Sequence, residues 1–129
     1  AVMACHSQAE TIATMVLRDD PDVNQWGVIE TNAVGHVMTI NGKGRSADVC
    51  SKPLARRMFA GIHVIDPLLL SHVTQGIPSS IIDAYIHCLE RGVVISSYPL
   101  FGYWSDIGTP ACYAKVQHDF ESGILLLPE

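Results

Sequence analysis

Two short runs limit what this chain can fold into. Thr11–Leu17 (TIATMVL) and Met58–Ile65 (MFAGIHVI) are mostly apolar, and the first is rich in β-branched residues. A strand that meets water on one face alternates apolar and polar residues. These runs do not alternate, so both faces of each strand are expected to be buried. Strands of that kind sit in a sheet covered by helices. The expected fold class is therefore α/β: a mixed β-sheet with flanking helices, in one domain of 129 residues.

The remaining elements follow from local signals. Ala1–Glu10 holds good helix formers. Arg18–Asn24 (RDDPDVN) reads as a loop, since Pro21 and the aspartates disfavour regular structure. Trp26–Thr31 and Val34–Ile40 read as a hairpin turning at Asn32-Ala33, with Gly35 close behind. Asn41–Arg57 looks irregular. Asp66 and Pro67 form an N-cap and first-turn pair for a short helix. Ser79 or Ser80 caps a helix over Ile81–Arg91, with Ile82, Tyr85, Ile86 and Leu89 on its apolar face and Gly92 as its stop. Val93–Tyr98 is a strand, and Tyr103–Ile107 a short strand or turn. Thr109-Pro110 opens a last helix running to Phe120.

Composition narrows the function classes. Hydrophobic residues make up 48% and charged residues 16%, a globular balance. The net charge is −5, and the eight Lys and Arg form no long run. Nothing points to a nucleic-acid backbone as partner. No apolar run is long enough to cross a membrane, and no signal peptide is read. Cys5, Cys50, Cys88 and Cys112 show no metal-ligand spacing, which suggests free thiols and a cytoplasmic location. Asp19, Asp20 and Asp22 are expected to form a solvated acidic loop rather than a metal site. The histidines are scattered, and no GxSxG elbow is present.

The most specific stretch is Gly102–Tyr113, GYWSDIGTPACY. It resembles the GYWxDIGTPExY segment of the sugar-1-phosphate nucleotidyltransferases, such as the mannose-1-phosphate guanylyltransferases and glucose-1-phosphate thymidylyltransferases. Ala13–Arg18 (ATMVLR), Trp26–Glu30 (WGVIE), Phe59–Ile65 (FAGIHVI) and Ser80–Tyr85 (SIIDAY) resemble further segments of that family, in order. The likeness runs from about residue 6 to residue 123.

The resemblance implies roles for particular residues. Asp106 matches the family's second metal-binding aspartate, a hard oxygen ligand suited to Mg²⁺. A single aspartate would hold Mg²⁺ weakly, and the other reading of Asp106 is that it only orders the turn before Gly108. Lys43 matches the lysine that contacts the sugar phosphate in the family's EKP segment. Here Gly42 and Gly44 stand on either side of it in place of Glu and Pro, and Lys52-Pro53 is a rival. Gly27 and Gly61 match glycines that let the sugar approach the backbone, or else serve packing and strand curvature. Glu30 matches a glutamate near the sugar pocket. Trp104 is read as a core residue in preference to a pocket wall.

The family's catalytic domain also carries a GxGTRLxPxT loop that wraps the nucleotide's phosphates with backbone N–H groups. No such loop occurs in these 129 residues. The resemblance therefore implies a partial domain, residues 1–129, holding the sugar-phosphate side and lacking the N-terminal nucleotide-binding half. Such a chain is expected to be inactive alone and to bind at most a sugar 1-phosphate. The apolar opening segment and the Ile124–Leu127 tail are expected to need cover, from a homodimer partner or a complementary N-terminal half. The alternatives are an oligomeric binding module or one piece of an intact pyrophosphorylase.

Overall fold

The computed structural model describes residues 1–46 and 53–126. Lys52 and Cys50, raised above, lie outside the described residues, as does the end of the Ile124–Leu127 tail. The elements are α1 (Val2–Gln8), β1 (Ala13–Arg18), α2 (Val23–Trp26), β2 (Ile29–Thr31), β3 (Val37–Ile40), β4 (Lys43–Gly44) and β5 (Ala55–Ile65). A 3₁₀ helix (Pro67–His72), α3 (Ile81–Glu90), β6 (Ile95–Pro99) and α4 (Pro110–Glu121) follow. One mixed sheet orders the strands β4-β3-β2-β5-β1-β6. β1 runs parallel to β6 and antiparallel to β5.

β1 is the buried strand its sequence demands: Ala13 through Leu17 are all buried. Its odd positions, Ala13, Met15 and Leu17, join Ile29, Ile40, Ile95, Leu69, Tyr85, Cys88 and Leu89 in the core beneath α3. Its even positions face the other way. There α1 covers it, with His6 Nδ1 2.9 Å from Thr14 Oγ1. Side-chain caps set the helix starts. Asp66 accepts from Leu68 N–H (2.8 Å), Ser80 from Ile82 N–H (3.2 Å) and Thr109 from Cys112 N–H (3.2 Å). The hairpin turn is a loop closed by Asn32, whose Oδ1 accepts from Val34 N–H and His36 N–H. Ser97 then donates from N–H and Oγ to the Gly35 carbonyl, so the loop also grips β6.

Several expectations need correction. Trp26 ends a single helical turn, and β2 starts only at Ile29. Gly27, at φ 91°, makes the bend between them. The supposedly irregular 41–57 stretch contributes β4 and the start of β5, whose Arg56 and Arg57 pair with Glu30 and Ile29 of β2. β5 is not buried on both faces: only Met58 and Ala60 are buried, and Ile62 is 51% exposed. Beyond Arg57 the β2 side of β5 has no strand beside it among the described residues. Tyr103–Ile107 contains no strand.

α4 stands apart from the core. Asp119 is its one buried residue. Tyr103 Oη (2.7 Å) and Lys115 Nζ donate to its carboxylate, and its backbone carbonyl accepts from Ile124 N–H and Leu125 N–H. Tyr113, Phe120 and Ile124 of the same region are exposed.

Candidate functional site

The site grows from an irregularity in β5. Met15 pairs with His63, but Leu17 pairs with Phe59, so Val16 alone lies opposite Ala60, Gly61 and Ile62. The surplus bulges out of the ladder. Gly61 sits in the bulge at φ +79°, a conformation that L side chains rarely adopt, and a Cβ there would meet open space. The glycine is thus needed for backbone shape, and it leaves the strand bare on one side.

The bulge forms one wall of an open cleft of about 360 Å³, lined by Trp26, Phe59, Ala60, Gly61, Trp104, Ser105, Asp106 and Ile107. That is small for a ligand pocket, where roughly 300–1,000 Å³ is usual. Trp104 Nε1 donates to the Ala60 carbonyl at 3.2 Å, tying the GYWSDIGTP loop to the bulge. Trp26 meets Trp104 edge-on at 5.4 Å between centroids. Both tryptophans of the chain therefore stand in this cleft. Trp104, expected in the core, is a wall residue. Hollows of about 400 and 440 Å³ lie elsewhere, beside Arg57 and between His72 and His87, and hold none of the expected site residues.

Of those residues, the cleft gathers Gly61 and Asp106, from distant parts of the chain, and Gly27 adjoins it through Trp26. Gly27 itself accommodates the Asn41 side chain: a Cβ would come 3.0 Å from Asn41 Oδ1, which accepts from Val28 N–H at 2.9 Å. Glu30 and Lys43 do not line the cleft. Glu30 accepts from Thr39 Oγ1 across the hairpin. Lys43 is exposed on β4, at the far edge of the sheet.

Asp106 Oδ1 accepts from Gly108 N–H at 3.0 Å, so it orders the turn before α4 while facing the cleft. Mg²⁺ favours near-octahedral oxygen coordination. Among the described residues no three His, Cys, Asp or Glu side chains are placed to share a metal ion. The donors present do not by themselves compose a Mg²⁺ site. The acidic loop is solvated in the main: Asp19 stays 79% exposed while pairing with Arg57 Nε at 3.1 Å, Asp22 is exposed, and only Asp20, its side chain 14% exposed, turns in to lie 3.6 Å from Arg18 Nε.

The loop and α4 are joined by charge. Lys115 and Tyr103, hydrogen-bonded to the Asp119 carboxylate, hold its pKa below the ordinary value, while the same carboxylate raises those of Lys115 and Tyr103. A depressed carboxyl pKa stabilises the fold above the unfolded value of about 4 and loses that contribution as pH falls through the folded one. Acidification below pH 4 should therefore loosen α4 before the sheet melts. Helicity should fall ahead of the tryptophan signal in an acid titration. Asp119→Asn should abolish the separation, and coincident transitions in the parent protein would disprove this account.

No family model matches the chain, and no curated protein sequence matches it. Its fold does match solved structures. A putative glucose-1-phosphate thymidylyltransferase from Bacillus anthracis, in complex with a sucrose, aligns over 98% of this chain and 50% of its own, with a TM-score of 0.67 and 17% identity. UTP-bound UGPase from Acinetobacter baumannii gives 0.65 at 18% identity, over 98% of this chain and 49% of its own. A CMP:2-keto-3-deoxy-manno-octonic acid synthetase complexed with CTP gives 0.59 at 14% identity, over 95% and 54%. The chain shares the fold of these nucleotidyltransferases and spans about half their length.

Two features were missed in the sequence. Trp26, which reads as a strand residue, ends α2, and Arg18, which reads as the start of a loop, is the last residue of β1. For Arg18 the available signal is a lone arginine closing a mostly apolar run.

Proposed function

We propose that this chain is the sugar-phosphate half of a nucleotidyltransferase-type domain, which binds a sugar 1-phosphate in the Trp26–Trp104 cleft and carries out no transfer alone. The observation that carries this reading is the convergence of Gly61 and Asp106 on one aromatic cleft. The resemblance implies a site role for both, and both line the cleft where two tryptophan rings offer apolar surface to a sugar.

Transfer to a nucleotide needs its phosphates positioned and their charge offset. These 129 residues hold no glycine-rich phosphate loop, and among the described residues Asp106 belongs to no group of three His, Cys, Asp or Glu side chains placed to share a metal ion. Mg²⁺ would join only where another segment supplies further oxygen ligands. The bare side of β5 and the exposed Tyr113–Phe120–Ile124 face suit such a segment, either a complementary nucleotide-binding half or a second copy of this chain. Free Cys5, Cys88 and Cys112 fit a reducing, cytoplasmic setting.

Pyrophosphate release should be undetectable when the pure protein is given each common nucleoside triphosphate with hexose 1-phosphates and Mg²⁺. Clear turnover would overturn the claim of inactivity.

A further inference from the structure

A phosphate ligand calls for a cation, yet no residue lining the cleft is one. Lys43, expected to serve from the resemblance, is on β4 at the sheet's far edge. Most other described cations are engaged. Arg45 donates to the carbonyls of Gly92 and Val93, Arg56 to Asn24, Arg57 to Thr31 and Asp19, and Lys115 to Asp119.

Arg18 differs. It ends β1 opposite Met58 of β5, and its guanidinium carbon lies 5.5 Å from the centroid of the Trp104 ring. Its side chain is only 19% exposed, and Nε and Nη1 are buried with no hydrogen-bond partner. The Asp20 carboxylate, 3.6 Å from Nε, is a charge neighbour but lies beyond hydrogen-bond reach. Asp20 Oδ1 is occupied by Asp22 N–H at 2.9 Å. Buried donors without acceptors are rare and costly, and they mark places where an absent group belongs. Nε and Nη1 lie on different edges of the guanidinium, and each shares its edge with Nη2, so either edge can present two N–H groups to the oxygens of a phosphate.

We propose that Arg18 is the phosphate-binding residue of this site: it receives the monophosphate of the ligand whose sugar lies against Trp26 and Trp104. Trp104, itself a wall of the cleft and fixed by its bond to the bulge, has the guanidinium over its ring, so Arg18 adjoins the cleft without lining it. This assignment rests on the sugar-phosphate reading above and adds the residue that makes the phosphate matter.

Because both tryptophans are in the cleft, their fluorescence reads its occupancy. The wild-type protein would be titrated with glucose 1-phosphate, inorganic phosphate and glucose. Glucose 1-phosphate should bind at least about tenfold more tightly than glucose. Arg18→Gln should erase that preference and leave glucose binding unchanged, while Lys43→Gln should alter neither. Asp20→Asn, which keeps the turn acceptor but removes the competing charge, should tighten phosphate binding and provides a test even if Arg18→Gln folds poorly. If wild type prefers the phosphorylated sugar and neither the Arg18 nor the Asp20 variant changes that preference, the Arg18 assignment falls while the sugar-phosphate reading stands. If wild type responds to no phosphorylated ligand, the sugar-phosphate reading itself falls and the assignment with it.

Discussion

Leu89→Ala is expected to lower the unfolding free energy by about 3–4 kcal/mol, near the middle of the range for leucine truncations in closed cores. Leu89 is fully buried on α3, in the cluster that contains Met15, Leu17, Ile40 and Tyr85. α3 packs against β3 and β4, and the side chain also lies beneath Gly44. Removing it leaves a void that the surrounding strands are too constrained to fill. A domain of this size has roughly 5–15 kcal/mol in total, so the variant should sit close to the edge of folding. Urea unfolding followed by circular dichroism measures the loss. A change below about 1 kcal/mol would show that the core is not closed there.

Gly44→Ala is expected to cost about 2–3 kcal/mol, through backbone strain instead of a cavity. Gly44 has φ +137°, and a Cβ there would lie 2.6 Å from the Met38 carbonyl oxygen and 3.2 Å from Leu89 Cδ1. The leucine contact can yield, but the carbonyl cannot, because it accepts from Arg45 N–H at 2.9 Å and holds the turn. Gly42→Ala, at φ +76° with open space around it, should cost only about 1–2 kcal/mol. Combining Gly44→Ala with Leu89→Ala should give no rescue, since the nearer obstacle remains. A double variant as stable as Leu89→Ala alone would refute the carbonyl clash. Proline, fixed near −65°, could not take this shape at position 44 either.

The sequence revealed most where one local signal decides the outcome. Asp66, Ser80 and Thr109 cap their helices because each is a short polar side chain placed just before helical spacing begins. β1 was recognised because it lacks alternation. Where tertiary context decides, the sequence said less. Arg56 and Arg57 disguised the first part of β5, since nothing local shows that β2 will pair with them. Ala84 and Cys88 are buried on α3 although neither looked like a core position; their small side chains fit where α3 lies close to the sheet. Of the site, Gly61 and Asp106 were legible through motif resemblance. The bulge that brings them together was not, because register depends on both strands. Arg18 was obscured by the aspartates after it, one of which turned out to be its charge neighbour.

β1 lies in the core but precedes both of its neighbours in sequence. Its antiparallel neighbour begins to pair at Met58, and its parallel neighbour at Ile95. Until both exist, this mostly apolar strand lacks the two strands it pairs with, and loops of roughly 40 and 80 residues must close around it. Pairings this distant in sequence form late and slowly. During synthesis, Ala13–Leu17 would emerge long before its partners and remain open to wrong associations. The residue run that fixes the architecture most firmly is thus also the one that makes the chain slowest to reach it.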